Sequence, residues 1–456
     1  MAYSSGNNRP MEWASKSSHT HLINDENVKG FLSRCVLPKN QDEIEADDLK
    51  YVYDINHVRS PLKHVIAIDG GYTESLVRKK YPSSSIAFFQ FGALFFDLQD
   101  LHNIENSPFI APEDMAKFKE LERIKLVLPI KNITFGKEVR LTDSVRRVIH
   151  DFFLQDRNGR NYYDTLKWLL YEEYLSTSIG ENYKLASCPL CKAEEINVFR
   201  KDISIEYTFH CDACKQEIFL IDIFRLHEAI DDELGAGGIL GYVCTTLEQI
   251  ILAHYIRFIL EKQPSLLKEV LFVKDGPLAF FGQTANMHKI FRKLCKYLLA
   301  NNNLCLAGIE KSGAFVEHAR EITNDQPDGR GTLLPKGKAF LLNNDYIYKY
   351  VIPQNGKANP IYASTSYYGG KLIYKSHNDR VYVVTIPVNN SKVVVDPTID
   401  KFQNLEIILN ALDELKCDMY NNSLVPIALV NHLVSLANHP SSVILEKFAT
   451  NKINSN

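Results

Sequence analysis

At 456 residues, with hydrophobic side chains at 45% and charged ones at 23%, the chain has the make-up of a globular protein with a substantial core, which excludes wholesale disorder and fibrous repeats. A formal net charge of -3 argues against a protein that coats nucleic acid by bulk charge, so a polyanion must meet a local basic cluster. No apolar run reaches the length of a membrane span, the N-terminus is polar, and nine cysteines are too few for a disulfide scaffold; a cytoplasmic setting with no membrane partner is expected.

In chain order, residues 1–60 are polar and charged, including the acidic run Asp42 to Asp48, and read as a peripheral arm that a partner could bind. Residues 61–110 begin the core. There His64-Val-Ile-Ala-Ile68 predicts a buried strand stopped by Asp69-Gly70-Gly71, with a neighbouring strand at Ile86 to Leu94. Residues 111–185 carry helical signals, notably Ser144 to Phe153 and Tyr162 to Tyr174, and read as a helical insertion. Residues 186–220 hold two cysteine pairs, after which Leu234-Gly-Ala-Gly-Gly238 marks a flexible joint.

Residues 240–440 return to core-like sequence. A helix from Thr245 to Glu261 leads to the strand Val270 to Val273 and the turn Asp275-Gly276-Pro277; the helix Met287 to Leu299 and the strand Leu304 to Ile309 follow. That alternation predicts an α/β sheet with parallel members. Antiparallel strands at Lys338 to Leu342, Lys371 to Tyr374 and Val381 to Ile386, helices at Asn404 to Leu415 and Ile427 to Ala437, and a tail over 441–456 complete the chain.

Cys188-x-x-Cys191 and Cys211-x-x-Cys214 lie nineteen residues apart, the spacing of a tetrahedral zinc ribbon. Four thiolates leave no open coordination position, so the expected zinc is structural. The scattered Cys35, Cys244, Cys295, Cys305 and Cys417 read as small buried hydrophobes.

Asp69 and Asp275 each end an apolar strand and precede a glycine, so both can project from one sheet edge, where two carboxylates repel unless a divalent cation lies between them. Asp-Gly is also a common turn dipeptide. Glu248 is a candidate third carboxylate, although Thr245-x-x-Glu248 equally forms a capping box; Glu261 is the fallback.

The segments Ile68-Asp-Gly-Gly71, the Glu248 helix, Phe272-Val-Lys-Asp-Gly-Pro-Leu278, Glu310-Lys-Ser312 and the strand pair from Tyr367 to Pro387 stand in an order that resembles the NurA nucleases. The resemblance runs from about Val65 to Ala437, around the helical and zinc-ribbon insertions. It implies an α/β fold with an RNase H-like mixed sheet core flanked by helices, Mn²⁺- or Mg²⁺-dependent cleavage of DNA ends and single strands, a homodimer, and a HerA-type hexameric ATPase partner. It also makes Asp69, Asp275 and Glu248 the catalytic metal ligands. Val425-Pro-Ile-Ala-Leu429 with His432 matches a late family segment except that valine replaces its tyrosine, leaving His432 as a candidate phosphate or water contact.

Lys289, Arg292 and Lys296 share a helix face that can hold a DNA backbone, or simply be solvated; Arg78-Lys79-Lys80 and Arg146-Arg147 are weaker cases. Lys311 either neutralises a scissile phosphate or protects a strand edge. The competing reading of the whole chain is a non-catalytic zinc-ribbon adaptor on a degenerate nuclease core.

Overall fold

A computed structural model of the protein describes residues 18–78, 80, 82–99, 119–157, 159–175, 177–325, 331–352, 360–417, 423–436 and 440–454. Helices α1 (Ser18–Asn24) and α2 (Glu26–Leu32) precede strand β1 (Val52–Asp54). The long strands β2 (His64–Arg78), β3 (Ser84–Asp97) and β4 (Lys119–Lys131) follow. Helices α3 (Leu141–Leu154) and α4 (Tyr162–Leu170) lead to two small hairpins, β5 (Asn182–Ser187) with β6 (Glu194–Phe199) and β7 (Thr208–His210) with β8 (Glu217–Phe219).

The second half alternates helix and strand: α5 (Leu240–Lys262), β9 (Val270–Asp275), α6 (Met287–Asn302), β10 (Cys305–Glu310) and α7 (Ala314–Thr323). Strands β11 (Lys338–Leu341), β12 (Gly369–Lys375) and β13 (Val381–Pro387) and helices α8 (Leu405–Glu414), α9 (Val425–Val434) and α10 (Ser441–Asn454) complete it. Nine strands form one mixed sheet in the order β1-β11-β12-β13-β10-β9-β2-β3-β4. As the alternation predicts, β2, β9 and β10 are parallel neighbours, and the remaining pairings are antiparallel.

Strand periodicity divides the apolar residues between two layers. Ile66, Ile68 and Phe272 face α3, α4, α5 and α6, whereas Val65, Ala67 and Val273 face α7, α8 and α9. The chain is therefore an α/β sheet with helices on both faces.

Four sequence expectations need correction. The arm at 1–60 is part of the core from Ile44 onward, because Ile44, Tyr51 and Ile55 are buried and β1 pairs with β11; residues 1–17 lie outside the described part. The helical insertion at 111–185 contains the strand β4, whose alternating burial from Arg123 to Leu128 has a period of two, not 3.6; residues 111–118 lie outside the described part. The joint at Gly235 is packed rather than loose, since a Cβ there would meet the Ile130 carbonyl at 2.8 Å. Of the tail at 441–456, Ser441–Asn454 forms α10, which buries Ala449 against Val77 and Ile86, and residues 455–456 lie outside the described part.

Helix α5 is long and apolar enough to cross a membrane, but 78% of its most apolar window is buried between α4 and the sheet, as befits a core helix.

Candidate active site and zinc centre

The two Asp-Gly dipeptides fold differently. Asp275-Gly276 is a turn, with Gly276 at φ +79° where β9 ends. Asp69-Gly70-Gly71 does not stop its strand: β2 continues to Arg78 in a hairpin with β3. Gly71 is required there because a Cβ would meet the Val434 carbonyl of α9 at 2.6 Å. Asp69 is nevertheless at an opening, because the β2-β9 pairing ends at Ile68 opposite Lys274. The last parallel rungs therefore set Asp69 and Asp275 side by side where the seam between the strands opens.

Helix α5 supplies the third carboxylate. It begins at Leu240, five residues before Thr245, so Thr245 and Glu248 are interior and the capping-box reading falls. Glu248 is buried and points to the seam. Glu261 lies near the far end of the helix, held by Arg257 at 2.6 Å and Arg160 at 3.0 Å, and does not reach the cleft. Lys311 follows β10, a central strand, which removes the edge-protection reading.

Asp69, Glu248, Asp275 and Lys311 together line an open cleft of about 370 Å³, joined by Lys274 and Glu310. Glu248 Oε2 lies 2.6 Å from Lys274 Nζ, and Asp275 Oδ2 accepts from Lys311 Nζ at 2.8 Å. Asp69 Oδ1 accepts from the Gly70 amide at 2.8 Å. Burial, then the charges of Asp275 and Glu248, push the Asp69 carboxyl up to about 8. Burial likewise raises Glu248, while the neighbouring carboxylates outweigh burial at Lys274 and raise its ammonium.

The lysines thus hold two of the carboxylates, and the three are not gathered around one point. Among the described residues, only the four cysteines form a metal-type set with ligand atoms all within 4.8 Å of one another. The carboxylate set still fits a hard divalent cation: its donors are all oxygens, and after burial, the largest cause, the charges of Asp275 and Glu248 also raise the Asp69 carboxyl.

Lys274 and Glu310 lie within sequence motifs that by themselves mark no role for either residue. Their signal was position: Lys274 adjoins Asp275, and Glu310 ends a parallel strand. Glu310 is fixed from behind by Lys371 Nζ, 2.8 Å from Oε1 and 3.1 Å from Oε2; that buried ammonium lies 3.6 Å from the Phe315 ring centroid.

Other candidates lie outside the cleft lining. His432 is on the exposed side of α9. Lys289 and Lys296 are exposed on α6, while the half-buried Arg292 donates to the Tyr367 carbonyl. Arg146 is buried in a two-pronged pair with Asp222, at 2.8 and 2.7 Å, which withdraws it from any polyanion. Lys79 lies outside the described residues.

The zinc-type cysteines occupy the tips of the two small hairpins. In each, the first cysteine's amide donates across the tip, Cys188 to Ala193 O at 2.8 Å and Cys211 to Gln216 O at 3.0 Å. Lys192 and Lys215 take matching left-handed conformations at φ +64° and +59°. Cys188 Sγ lies 3.9 Å from Cys214 Sγ, and Cys191 Sγ 3.8 Å from Cys211 Sγ, a spacing suited to four thiolates around one zinc ion. Burial pushes the Cys188 thiol up to about 12, whereas the Ala193 amide holds Cys191 down to about 7. Of the scattered cysteines, Cys244, Cys295, Cys305 and Cys417 are buried as expected, and Cys35 is exposed.

No protein-family model and no curated protein matches the chain. Among solved structures it is similar to the crystal structure of the NurA nuclease from Sulfolobus solfataricus, at 10% identity over 97% of this chain and 98% of that one, with a TM-score of 0.35. So loose a superposition places no side chain, and the chemistry rests on the cleft itself.

Proposed function

We propose that the chain is a metal-dependent deoxyribonuclease that hydrolyses phosphodiester bonds at DNA ends and in single strands. The observation that carries the reading is the meeting of Asp69, Glu248 and Asp275, from two strands and a helix, in one cleft beside Lys311. Mn²⁺ or Mg²⁺ held by these carboxylates would supply Lewis-acid activation of the phosphodiester and the attacking water.

The chain's own residues do the rest. Lys311, about a quarter exposed, offers an ammonium at the cleft wall to a non-bridging phosphate oxygen. Glu310, pinned by Lys371, is a fixed acceptor that can orient water. Lys289 and Lys296 offer exposed charge to a DNA backbone, and His432 is a further candidate phosphate contact from α9. The four cysteines hold a structural zinc. The homodimer, the HerA-type hexameric ATPase partner, a cytoplasmic setting, and a role in end processing or defence against foreign DNA rest on the sequence resemblance.

One observation favours the adaptor reading: Glu248 and Asp275 already have lysine partners. Cleavage of labelled linear duplex and single-stranded DNA, with Mn²⁺ and with Mg²⁺, separates the two. Wild type, Asp69→Ala and Asp275→Ala are compared with and without a co-expressed HerA-type ATPase. Activity lost in both variants supports the nuclease; no cleavage by folded, zinc-loaded wild type under any condition supports the adaptor.

A further inference from the structure

A second cavity, of about 620 Å³, opens at the opposite end of α5 from the cleft. Its floor is the start of the parallel sheet, with Ile66 and Val270 beside Phe95. One wall carries Phe258, which is 46% exposed, and its rim carries Asp156, Arg157 and Arg160, which lie in sequence between α3 and α4. We propose that this cavity binds a small monoanionic amphiphile, its apolar body on the sheet floor and its single negative charge at the arginine rim.

Size and lining support the apolar half. Small-molecule sites enclose roughly 300–1,000 Å³ and are mostly apolar with a few placed polar groups, while protein interiors are otherwise packed like organic crystals. An aliphatic and aromatic recess of this size, left to water, forfeits the contacts that close packing gives.

Charge selects the other half. Arg157 and Arg160 against Asp156 leave one net positive charge on the lining. Glu261 adjoins the rim, bonded to Arg257 at 2.6 Å and to Arg160 at 3.0 Å, and counting it together with Arg257 leaves that balance unchanged. His254, on the same wall, shares a hydrogen bond with Thr165 at 2.8 Å and is held neutral near pH 7. Burial first, then Arg257, Arg160 and Arg157, push it down to about 4. The guanidinium of Arg160 lies 5.0 Å from the Phe258 ring centroid, so cation and ring form one surface against which an anionic head and an aromatic or alkyl body can rest.

The shared chemistry can come from an aliphatic carboxylate or from a nucleoside monophosphate in its singly charged form. The probe is 8-anilino-1-naphthalenesulfonate, whose fluorescence rises on leaving water, titrated into the zinc-loaded full chain. One saturable site is expected, weakened at least about tenfold in Arg160→Met, which removes the rim charge, and in Phe258→Glu, which puts a carboxylate at the mouth. Circular dichroism and zinc content establish that both variants are folded; if either is not, Arg160→Gln replaces it. Displacement by decanoate assigns the aliphatic source, and displacement by adenosine monophosphate at pH 5.5 the nucleotide one. Absence of a saturable site, unchanged affinity in folded variants, or displacement by neither competitor overturns the proposal.

Discussion

Replacing Lys274 by methionine isolates the electrostatics of the cleft. Lys274 and Glu248 are 2.6 Å apart with side chains only 3% and 8% exposed, and the charge they enclose is buried rather than screened. At a separation near 3 Å and an effective dielectric of about 20, their attraction is about 5 kcal/mol. Part of this offsets the desolvation of both ions, so removing one partner is expected to cost about 3 kcal/mol. The deficit depends on pH. Burial and Asp275 already raise the Glu248 carboxyl, and losing the lysine raises it further. A raised carboxylate favours the fold when protonated, so the cost of Lys274→Met is largest at pH 8 and shrinks to under about 1 kcal/mol at pH 5. Urea unfolding at both pH values, followed by tryptophan fluorescence with zinc retained, reads the difference. Lys274→Met/Glu248→Gln together should recover to within about 1 kcal/mol of wild type, and Mn²⁺ should restore the single variant at pH 8. A variant as stable as wild type at pH 8 refutes the energetic role of the buried pair, and one that Mn²⁺ leaves unchanged refutes the cation site beside it.

Asp69→Asn should raise the melting temperature of the metal-free protein at pH 8.5. The folded carboxyl titrates at about 8, above its ordinary value of 3.8, so its contribution is present in acid and lost as pH rises between those values. The two proteins should melt alike near pH 3.5, and excess Mn²⁺ should reverse their order at pH 8.5. Cys188→Ser should lower zinc from one ion per chain to a fraction of one by native mass spectrometry. It should also raise proteolysis in the segment containing α3 and α4, because Tyr171 donates to Val198 O at 2.8 Å and Arg146 is buried against Asp222.

Sequence reasoning reached the parallel centre of the sheet because β2, β9 and β10 are short apolar runs separated by helical periodicity. The four-cysteine cluster was legible for a different reason: cysteine spacing encodes geometry directly. What escaped depended on contacts remote in sequence. The glycines after Asp69 resemble a turn until α9, more than 350 residues later, is seen to press its Val434 carbonyl on Gly71. Thr245-x-x-Glu248 resembles a cap because Leu240 to Cys244 gives no polar signal that the helix has already begun. Strand β4 was hidden by charged residues that alternate with buried ones on an edge strand. Lys274 had no expected role because a lysine inside an apolar strand acquires one only when Glu248 arrives from another element.

The charges around the cleft then fix what should accompany a bound cation. Asp69, Glu248, Asp275 and Glu310 line it with Lys274 and Lys311, and Lys371 is bonded to Glu310 from behind. Four carboxylates against three ammoniums leave one negative charge, and Asp69 is the group without a lysine partner and with the carboxyl pushed up to about 8. A proton on Asp69 therefore brings the metal-free cleft to neutrality. A divalent cation in place of that proton gives one net positive charge, matched to a phosphodiester monoanion. Mn²⁺ binding at pH 6.5 should consequently release about one proton per ion, falling toward zero by about pH 9.5, with affinity rising about tenfold per pH unit up to the Asp69 value. Calorimetric titration of the zinc-loaded protein in two buffers of different ionisation enthalpy measures the release, and Asp69→Asn should abolish it. Saturable Mn²⁺ binding with no proton released at pH 6.5 would show that the cation sits elsewhere and that Asp69 is not its ligand.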